Sequence, residues 1–323
     1  MLDQYGRRID YLRVSITDRC NLHCRYCMPD AVESVPRADM LRYDEILRVC
    51  RAAARLGITR FKITGGEPLV RAGCAEFAAA LKAQPGTEQA TLTTNALLLE
   101  KNLDALITAG IDCINISLDT LDDARYASLT GCAAHGAGDV LRAAEECCHR
   151  GVRTKINAVL LPQTRDEAVG LAALAARLPV DVRFIELMPI GFGTGMERVS
   201  PDEILDELRR VWTDLSPTDE RRGNGPAHYY ASSALIGRIG FIDAVSHKFC
   251  AACNRIRLTC TGQLKPCLCY DTTEDLRALL RGDASDEELL SVMERTIYNK
   301  PRAHCFDTVA EITEQHIMSQ IGG

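Results

Sequence analysis

The sequence predicts an α/β protein, a partial (open) β/α barrel of about six units followed by a C-terminal extension. Short β-rich runs alternate with amphipathic helical patterns through the first 190 of the 323 residues, and this alternation ends after Met188. Alternating strands and helices form a parallel sheet covered by helices, and about six units are fewer than the eight of a closed barrel. A doubly wound open sheet is the second possibility.

Six candidate strands follow one another in this first region, each rich in Val, Ile, Leu or Thr and each followed by polar or glycine-rich residues. They are Ile9–Ile16, Thr59–Thr64, Gln89–Thr94, Cys113–Leu118, Arg153–Leu160 and Asp181–Leu187. The helical patterns between them include Tyr43–Leu56, Leu97–Ala109, Val140–Arg150 and Arg165–Leu178. In either architecture, the functional residues are expected just after the carboxyl ends of the strands.

A different pattern begins after Met188 and predicts a second region. A glycine-rich loop comes first, and Leu235–Ile242 and Arg255–Cys269 are strand-like, the latter with a turn at Thr261-Gly262. The range Glu274–Tyr298 is mostly helical. We therefore divide the chain into a partial barrel, residues 1–190, and a C-terminal region, residues 191–323.

The composition is that of an ordinary soluble globular protein, with 46% hydrophobic and 25% charged residues. A net charge of −6 argues against non-specific binding to nucleic acid. No apolar run approaches the length of a membrane span, and the N-terminus is polar and charged, unlike a signal peptide. We expect a cytoplasmic protein with neither nucleic-acid nor membrane partners.

Cysteine is the most informative residue type, with 15 copies in the chain. An odd number cannot pair completely, and thiols stay reduced in the cytoplasm, where cysteine clusters indicate metal binding or catalysis. Nine cysteines are scattered and are expected to be mostly small buried hydrophobic residues. These nine are Cys50, Cys74, Cys113, Cys132, Cys147, Cys148, Cys260, Cys269 and Cys305.

The first of two cysteine triplets is Cys20, Cys24 and Cys27, a CxxxCxxC motif directly after the first strand. Three thiolates on one short loop can converge on one metal centre. A structural zinc site needs four ligands, whereas three leave a position open, which favours an iron–sulfur cluster with one open iron. The alternative is a zinc knuckle completed by His23 or by a distant residue.

This motif resembles that of the radical S-adenosylmethionine (radical SAM) superfamily. The resemblance implies a 4Fe–4S cluster whose open iron chelates the amino and carboxylate groups of SAM, and the release of a 5'-deoxyadenosyl radical. The loop after the second strand, Thr64 to Pro68 (TGGEP), supports it, because glycines let the backbone come close to a ligand. The implied SAM-binding residues are Tyr26, Thr64, Gly65, Gly66, Glu67, Ser117 and Met188. Met188 alone would more often be core packing.

The second triplet is Cys250, Cys253 and Cys267. Because Cys269 follows two positions later, a zinc ribbon is the alternative interpretation. Between these cysteines, Arg255 and Arg257 share one face of a strand, since alternate residues point the same way. Two guanidinium groups beside a cluster suit a polyphosphate, which they bind in bidentate fashion. Exposed strand arginines are the competing explanation.

With both triplets in place, the sequence resembles the GTP 3',8-cyclase family of molybdenum cofactor biosynthesis nearly from end to end. The ranges Asp10–Pro29 and Cys250–Leu268 carry the resemblance, and residues 300–304 (KPRAH) and the terminal Gly322-Gly323 fit it as well. The family implies two 4Fe–4S clusters with GTP between them. The implied GTP contacts are Arg13, Lys62, Thr93, Lys155, Arg255, Ile256 and Arg257, and the implied catalytic residues are Arg13, Arg255, Arg257, Gly322 and Gly323.

The resemblance further implies a homodimer, an unidentified electron donor and a downstream cyclic pyranopterin monophosphate synthase that takes the product. Lys62 stands where the family more often has arginine, and it keeps the charge but loses the planar fork. The Gly-Gly end would lie in the active site, although chain ends are normally frayed. Two other hypotheses are a peptide-modifying radical SAM enzyme with an auxiliary cluster and a zinc-binding interaction protein.

Overall fold

The structure is a computed structural model that describes residues 1–29 and 32–323. The strands in these residues are β1 Tyr11–Ser15, β2 Arg60–Thr64, β3 Gln89–Thr94, β4 Cys113–Ser117, β5 Thr154–Leu160, β6 Val180–Glu186, β7 Ser216–Thr218, β8 His228–Ala231, β9 Ile239–Ile242, β10 Arg255–Leu258, β11 Gln263–Lys265 and β12 Glu274–Asp275. The helices are α1 Tyr43–Arg55, α2 Cys74–Lys82, α3 Leu99–Thr108, α4 Asp123–Thr130, α5 Ala137–His149, α6 Ala168–Ala172, α7 Leu174–Arg177, α8 Pro201–Val211, α9 Leu276–Arg281, α10 Asp286–Tyr298 and α11 Met318–Ile321.

The first six strands form a parallel sheet in which β1 to β6 lie side by side in chain order. Helices separate successive strands, as a right-handed crossover between parallel strands requires. The strand order does not reverse, so the doubly wound alternative is wrong. Over the described residues the sheet ends at β12 on one side and β7 on the other. The prediction of an open, partial β/α barrel is confirmed.

The C-terminal region continues the same sheet at both edges. Strand β9 pairs in parallel with β6, and β10 pairs in parallel with β1. In the second pairing Arg257 lies opposite Arg13, and Arg255 lies opposite Tyr11. The register therefore places the Arg-x-Arg motif beside a basic residue of the first strand. One continuous sheet runs through both regions. The division of the chain at residue 190 therefore remains an interpretation of the sequence.

The predicted strands of the first region agree with the structure to within about two residues at each end. The largest differences lie elsewhere. The strand predicted to begin at Leu235 begins at Ile239, and the Arg165–Leu178 pattern forms a 3-10 helix followed by two short helices. The proline at position 162 opens that 3-10 helix, where its fixed φ is favourable and its missing N–H costs nothing.

The core lies between the sheet and its helices. On α1 the side chains of Ile46, Val49, Cys50 and Ala53 are completely buried, which is the face that the helical periodicity predicts. Of the nine scattered cysteines, seven are buried, while Cys132 and Cys148 are partly exposed. Among the described residues, no helix is both long enough and apolar enough to cross a membrane.

A candidate active site between two cysteine triplets

One cavity of about 330 Å³ contains most of the residues that the sequence singled out. Both cysteine triplets line it, so two distant segments of the chain meet across a single space. The other predicted residues in its wall are Arg13, Tyr26, Lys62, Gly65, Gly66, Glu67, Thr93, Ser117, Met188, Arg255, Ile256, Arg257 and Gly323. The cavity is large enough for small-molecule ligands, which commonly occupy sites of this size.

The loop of the first triplet is fixed by its backbone. His23 N donates to Thr130 O at 2.7 Å and Arg25 N donates to Leu129 O at 3.1 Å, so the end of α4 anchors the loop. Leu22 N points at the sulfur of Cys20 at 3.4 Å. Burial raises the pKa of Cys20 to about 11. Burial, together with the nearby Cys20 and Asp119, raises the pKa of Cys27 to about 12. Three partly buried thiols on one loop favour a cationic centre that compensates their charge once they are deprotonated.

The Gly65-Gly66 turn is required by close backbone contact with this loop. A Cβ on Gly65 would lie 2.6 Å from Thr17 O, and a Cβ on Gly66 would lie 2.6 Å from Asp18 O. Gly66 N donates to Thr17 O at 2.8 Å. Any larger residue would push the turn and the cysteine loop apart, which gives the glycine motif a steric cause.

Glu67 joins the turn after β2 to the turn after β3. Its carboxylate accepts hydrogen bonds from Thr94 Oγ1 at 2.8 Å, from Asn95 N at 2.6 Å and from Leu69 N at 3.0 Å. Burial raises the pKa of Glu67 to about 7. The carboxylate is thus held in place on the cavity wall rather than free to move.

Tyr26 lies between the last two cysteines, and its hydroxyl donates to Asp119 Oδ2 at 2.7 Å. Asp119 in turn accepts from Val159 N at 2.8 Å through its other oxygen. This partly buried pair holds the tyrosine ring in the wall of the cavity. Asp119 is a positioning residue that follows the predicted Ser117 by two positions.

The second triplet lies in an electrostatically mixed environment. The pKa of Cys250 is raised by burial and by the nearby Cys253 and Cys267. At Cys253 burial acts in the same direction, but the Lys300 ammonium and the Arg255 guanidinium more than offset it and lower the pKa. A thiol with a lowered pKa is readily deprotonated, as a metal ligand must be.

Seven Lys and Arg side chains of the described residues line the cavity, and three of them (Arg7, Arg183 and Lys300) were not among the predicted substrate contacts. Arg13, Lys62, Arg255 and Arg257 are joined by Arg183 on β6. Burial, together with the adjacent Arg13 and Arg255 guanidinium groups, lowers the pKa of Arg257 to about 9. Burial, Arg183 and Arg13 together lower the pKa of Lys62 well below its usual value. So many buried cations repel one another and favour a polyanionic ligand.

Arg183 was overlooked because it lies inside the predicted strand Asp181–Leu187, whereas functional residues were expected just after the ends of the strands. It is only 6% exposed, its terminal nitrogen donates to Asn115 Oδ1, and within the described residues its Nε has no hydrogen-bond partner. The sequence did contain a signal for a functional role of Arg183. An arginine in the middle of a strand pattern is unusual, because a charged residue is almost never fully buried without a partner.

The terminal glycines lie at the site. Arg257 donates to Gly322 O at 2.9 Å, and Arg13 donates to Gly323 O at 2.6 Å. A Cβ on Gly322 would lie 2.7 Å from Ser15 Cβ and 3.0 Å from Thr64 Oγ1, at a φ of +87°. Gly322 therefore occupies a place that only glycine fits, next to the predicted Thr64. The chain end is docked and not frayed.

Lys155 is the predicted substrate contact that the structure does not bring to this cavity. Its ammonium forms a buried ion pair with Asp181 at 3.2 Å and a hydrogen bond with Tyr229 Oη at 3.0 Å. The carbonyl of Arg222 also accepts a hydrogen bond from Lys155. Its charge is therefore already compensated by a carboxylate.

The two triplets suit clusters better than isolated ions. Within residues 1–29 and 32–323, no three His, Cys, Asp or Glu side chains converge on a single-ion site. A 4Fe–4S cluster is wider than one ion and takes its protein ligands from cysteine thiolates. The two donor sets, each of three thiols in the wall of one cavity, fit this requirement.

The fold and the site define a radical SAM protein. The Radical SAM superfamily profile matches residues 14–175, and the Molybdenum Cofactor Synthesis C profile matches residues 180–306. Among solved structures, Streptococcus suis SuiB bound to S-adenosylmethionine has a TM-score of 0.65 at 18% identity, covering 91% of this chain and 66% of that one. That likeness concerns the fold alone.

Within this class, the chain belongs to the GTP 3',8-cyclase family. It is 41% identical to the GTP 3',8-cyclase of Clostridium perfringens over 325 residues, covering 100% of both chains. It is 42% identical to the GTP 3',8-cyclase of Pelotomaculum thermopropionicum over 330 residues, again covering 100% of both. The resemblance seen in the sequence is confirmed.

Proposed function

We propose that this protein is a radical SAM enzyme that cyclises GTP to (8S)-3',8-cyclo-7,8-dihydroguanosine 5'-triphosphate, an early step of molybdenum cofactor biosynthesis. The observation that carries the proposal is the cavity whose wall contains both cysteine triplets together with a group of lysine and arginine side chains. Full-length relatives of this chain carry the name of that activity. A peptide maturase would have no use for the cations.

The first triplet would hold a 4Fe–4S cluster with SAM, and the second a 4Fe–4S cluster with one iron left for guanine. Bound there, the first cluster and SAM would supply the 5'-deoxyadenosyl radical that takes the ribose 3' hydrogen. After the ribose carbon has bonded to C8 of guanine, one electron from the external reductant and one proton would complete the dihydro product. The chain's own residues bind and orient the two ligands and exclude water.

On the SAM side, the backbone of Gly65 and Gly66 would receive the methionine amino group beside Glu67. Thr64 and Ser117 lie at the ends of β2 and β4, where ligand contacts of a β/α fold are expected. Tyr26, oriented by Asp119, would face the adenine, and Met188 would pack on the same side. These contacts are proposals drawn from placement and from the family.

On the GTP side, Arg13, Lys62, Arg183, Arg255 and Arg257 would hold the triphosphate and the purine, with Thr93 and Ile256 completing the wall. Burial first, and the neighbouring cations second, lower the pKa of Arg257 and of Lys62, so a bound polyanion would stabilise their charged forms. A triphosphate relieves that repulsion, and planar guanidinium groups bind it in bidentate fashion. The role of Lys155 as a phosphate ligand remains a prediction, because its ammonium group is paired with Asp181.

The glycine tail would close the site and position two of the catalytic arginines. Because Arg13 and Arg257 donate to the carbonyls of Gly323 and Gly322, the tail fixes the directions of both side chains. A held geometry lets ring closure outpace quenching of a radical by solvent or protein.

The experiment is anaerobic turnover of the reconstituted protein with GTP, SAM and a strong reductant. We expect cyclised guanosine triphosphate together with 5'-deoxyadenosine. Arg257→Ala should abolish this product while iron content is retained, and Arg142→Ala, at an exposed arginine on α5, is the matched control. SAM cleavage that ignores GTP, or full turnover by Arg257→Ala, would overturn the proposal.

Several finer assignments belong to the same proposal. We propose a cytoplasmic homodimer that receives electrons from a separate donor and passes its product to a cyclic pyranopterin monophosphate synthase. The acidic net charge of −6 supports the absence of a nucleic-acid partner.

A further inference from the structure

Two cysteines outside the triplets lie in direct contact. The sulfur atoms of Cys269 and Cys305 are 3.0 Å apart, although 36 residues separate them in the chain. Cys305 N also donates to Cys269 Sγ at 3.3 Å. The packing of small buried hydrophobic residues does not require two sulfur atoms to come this close. The contact therefore indicates a chemical role for the pair.

The pair lies between two segments that matter for the site. Cys269 follows Cys267 of the second triplet by two positions, and Cys305 begins the last stretch of chain, which ends in Gly322-Gly323. Both cysteines belong to a small cluster of buried residues that also contains Ile190, Phe306 and Ile321. A bond between them would connect the triplet loop to the tail segment.

Polar contacts already hold these two segments together. Glu314 N donates to Cys269 O at 3.3 Å, and Tyr270 Oη donates to Ala303 O at 3.1 Å. Thr313 exchanges hydrogen bonds with Asp271, at 3.0 Å from the Asp271 amide and at 2.8 Å to its carboxylate. Two thiols presented by segments that are fixed in this way can join with little backbone movement.

We propose that Cys269 and Cys305 form a reversible disulfide that fastens the C-terminal tail segment to the loop of the second triplet. A low-molecular-weight disulfide is the oxidant. The sulfur of Cys305 attacks it, one small thiol leaves, and Cys269 then displaces the second small thiol. Two S–H bonds and the small S–S bond break, the Cys269–Cys305 bond forms, and the two protons end on the two small thiols.

The burial of the two cysteines determines how an oxidant reaches them and how well a bond between them resists reduction. Cys305 is 7% exposed and Cys269 is completely buried, and the stretch from residue 307 to 311 beside Cys305 is exposed. A small oxidant therefore reaches Cys305 first, and Cys269 resolves the mixed disulfide from inside. Once formed, the bond is shielded from bulky reductants. This inference does not rest on the proposed substrate.

The test uses the anaerobically reconstituted holoenzyme treated with oxidised mercaptoethanol, alkylated, digested with trypsin and mapped by mass spectrometry. Cleavage after Arg257, Arg277 and Arg302 yields peptides 258–277 and 303–323, and the second carries Cys305 as its one cysteine. We expect these peptides to be linked, with the loss of two alkylatable thiols and of two hydrogen masses, and to separate again on reduction.

Variants decide which thiols are joined. Cys269→Ser and Cys305→Ser should each lose the link while iron content is retained, and Cys148→Ser, at a partly exposed cysteine of α5, should keep it. Unlinked peptides in oxidised, iron-loaded protein would overturn the proposal. A link to 303–323 that persists in Cys269→Ser would also overturn it, because Cys260 or Cys267 would then be the partner.

Discussion

Substitution of Gly322 by alanine tests whether the docked chain end contributes to catalysis. The residue has a φ of +87°, and an added Cβ would lie 2.7 Å from Ser15 Cβ and 3.0 Å from Thr64 Oγ1. The left-handed backbone costs an L-residue about 1–2 kcal/mol, and overpacking typically adds about 1–3 kcal/mol. The substitution therefore disfavours the docked tail by about 2–5 kcal/mol, or about 30-fold to more than a thousandfold.

The consequence is loss of GTP cyclisation with both clusters intact, because the tail orients Arg13 and Arg257 and holds no metal. The assay is anaerobic product formation, with iron content measured on the same sample. Gly138→Ala is the matched control, since its Cβ would meet nothing closer than an arginine side chain at 3.9 Å. If Gly322→Ala cyclises GTP at the rate of the unaltered protein, the tail has no part in catalysis and this reasoning fails.

Three further predictions concern charge and metal. Burial and neighbouring guanidinium groups lower the pKa of Arg257 to about 9. Above that pH, GTP binding must take up a proton, so the affinity for GTP should fall by about tenfold per pH unit. An affinity that stays constant with pH in calorimetric titration would contradict this prediction. Asp181→Asn leaves Lys155 buried without its carboxylate and should cost about 3–5 kcal/mol in thermal unfolding, whereas an unchanged melting temperature would argue that the pair is not structural. Cys27→Ala should lower iron from about eight to about four per chain, and loss of all the iron would show that the two sites are not independent.

The parallel strands could be predicted because periodicity and glycine punctuation are local signals. Residues such as Ile63 and Leu92 are buried on strands that the sequence marks clearly. The attachment of β9 and β10 to opposite edges of the sheet could not be predicted, since it depends on pairing between residues such as Arg13 and Arg257, far apart in sequence. Periodicity carries no information about such partners.

The same distinction between local signals and non-local contacts applies to the residues of the site. Both triplets and the Arg-x-Arg motif have spacings with chemical meaning, and the structure brings them to one cavity. Arg183 was missed because a strand pattern does not show which side a buried charge faces. Lys155 was expected at the substrate, but its pairing with Asp181 is a tertiary contact without a local signal. The Cys269–Cys305 contact is equally non-local.

In the proposed reaction, the radical acts on the ribose of GTP held in this cavity. GTP deuterated at the ribose 3' carbon tests it most directly, with mass spectrometry of the 5'-deoxyadenosine formed in anaerobic turnover. We expect one deuterium in 5'-deoxyadenosine for each cyclised product. Cyclised product accompanied by unlabelled 5'-deoxyadenosine, or SAM cleavage at the same rate without GTP, would contradict the account.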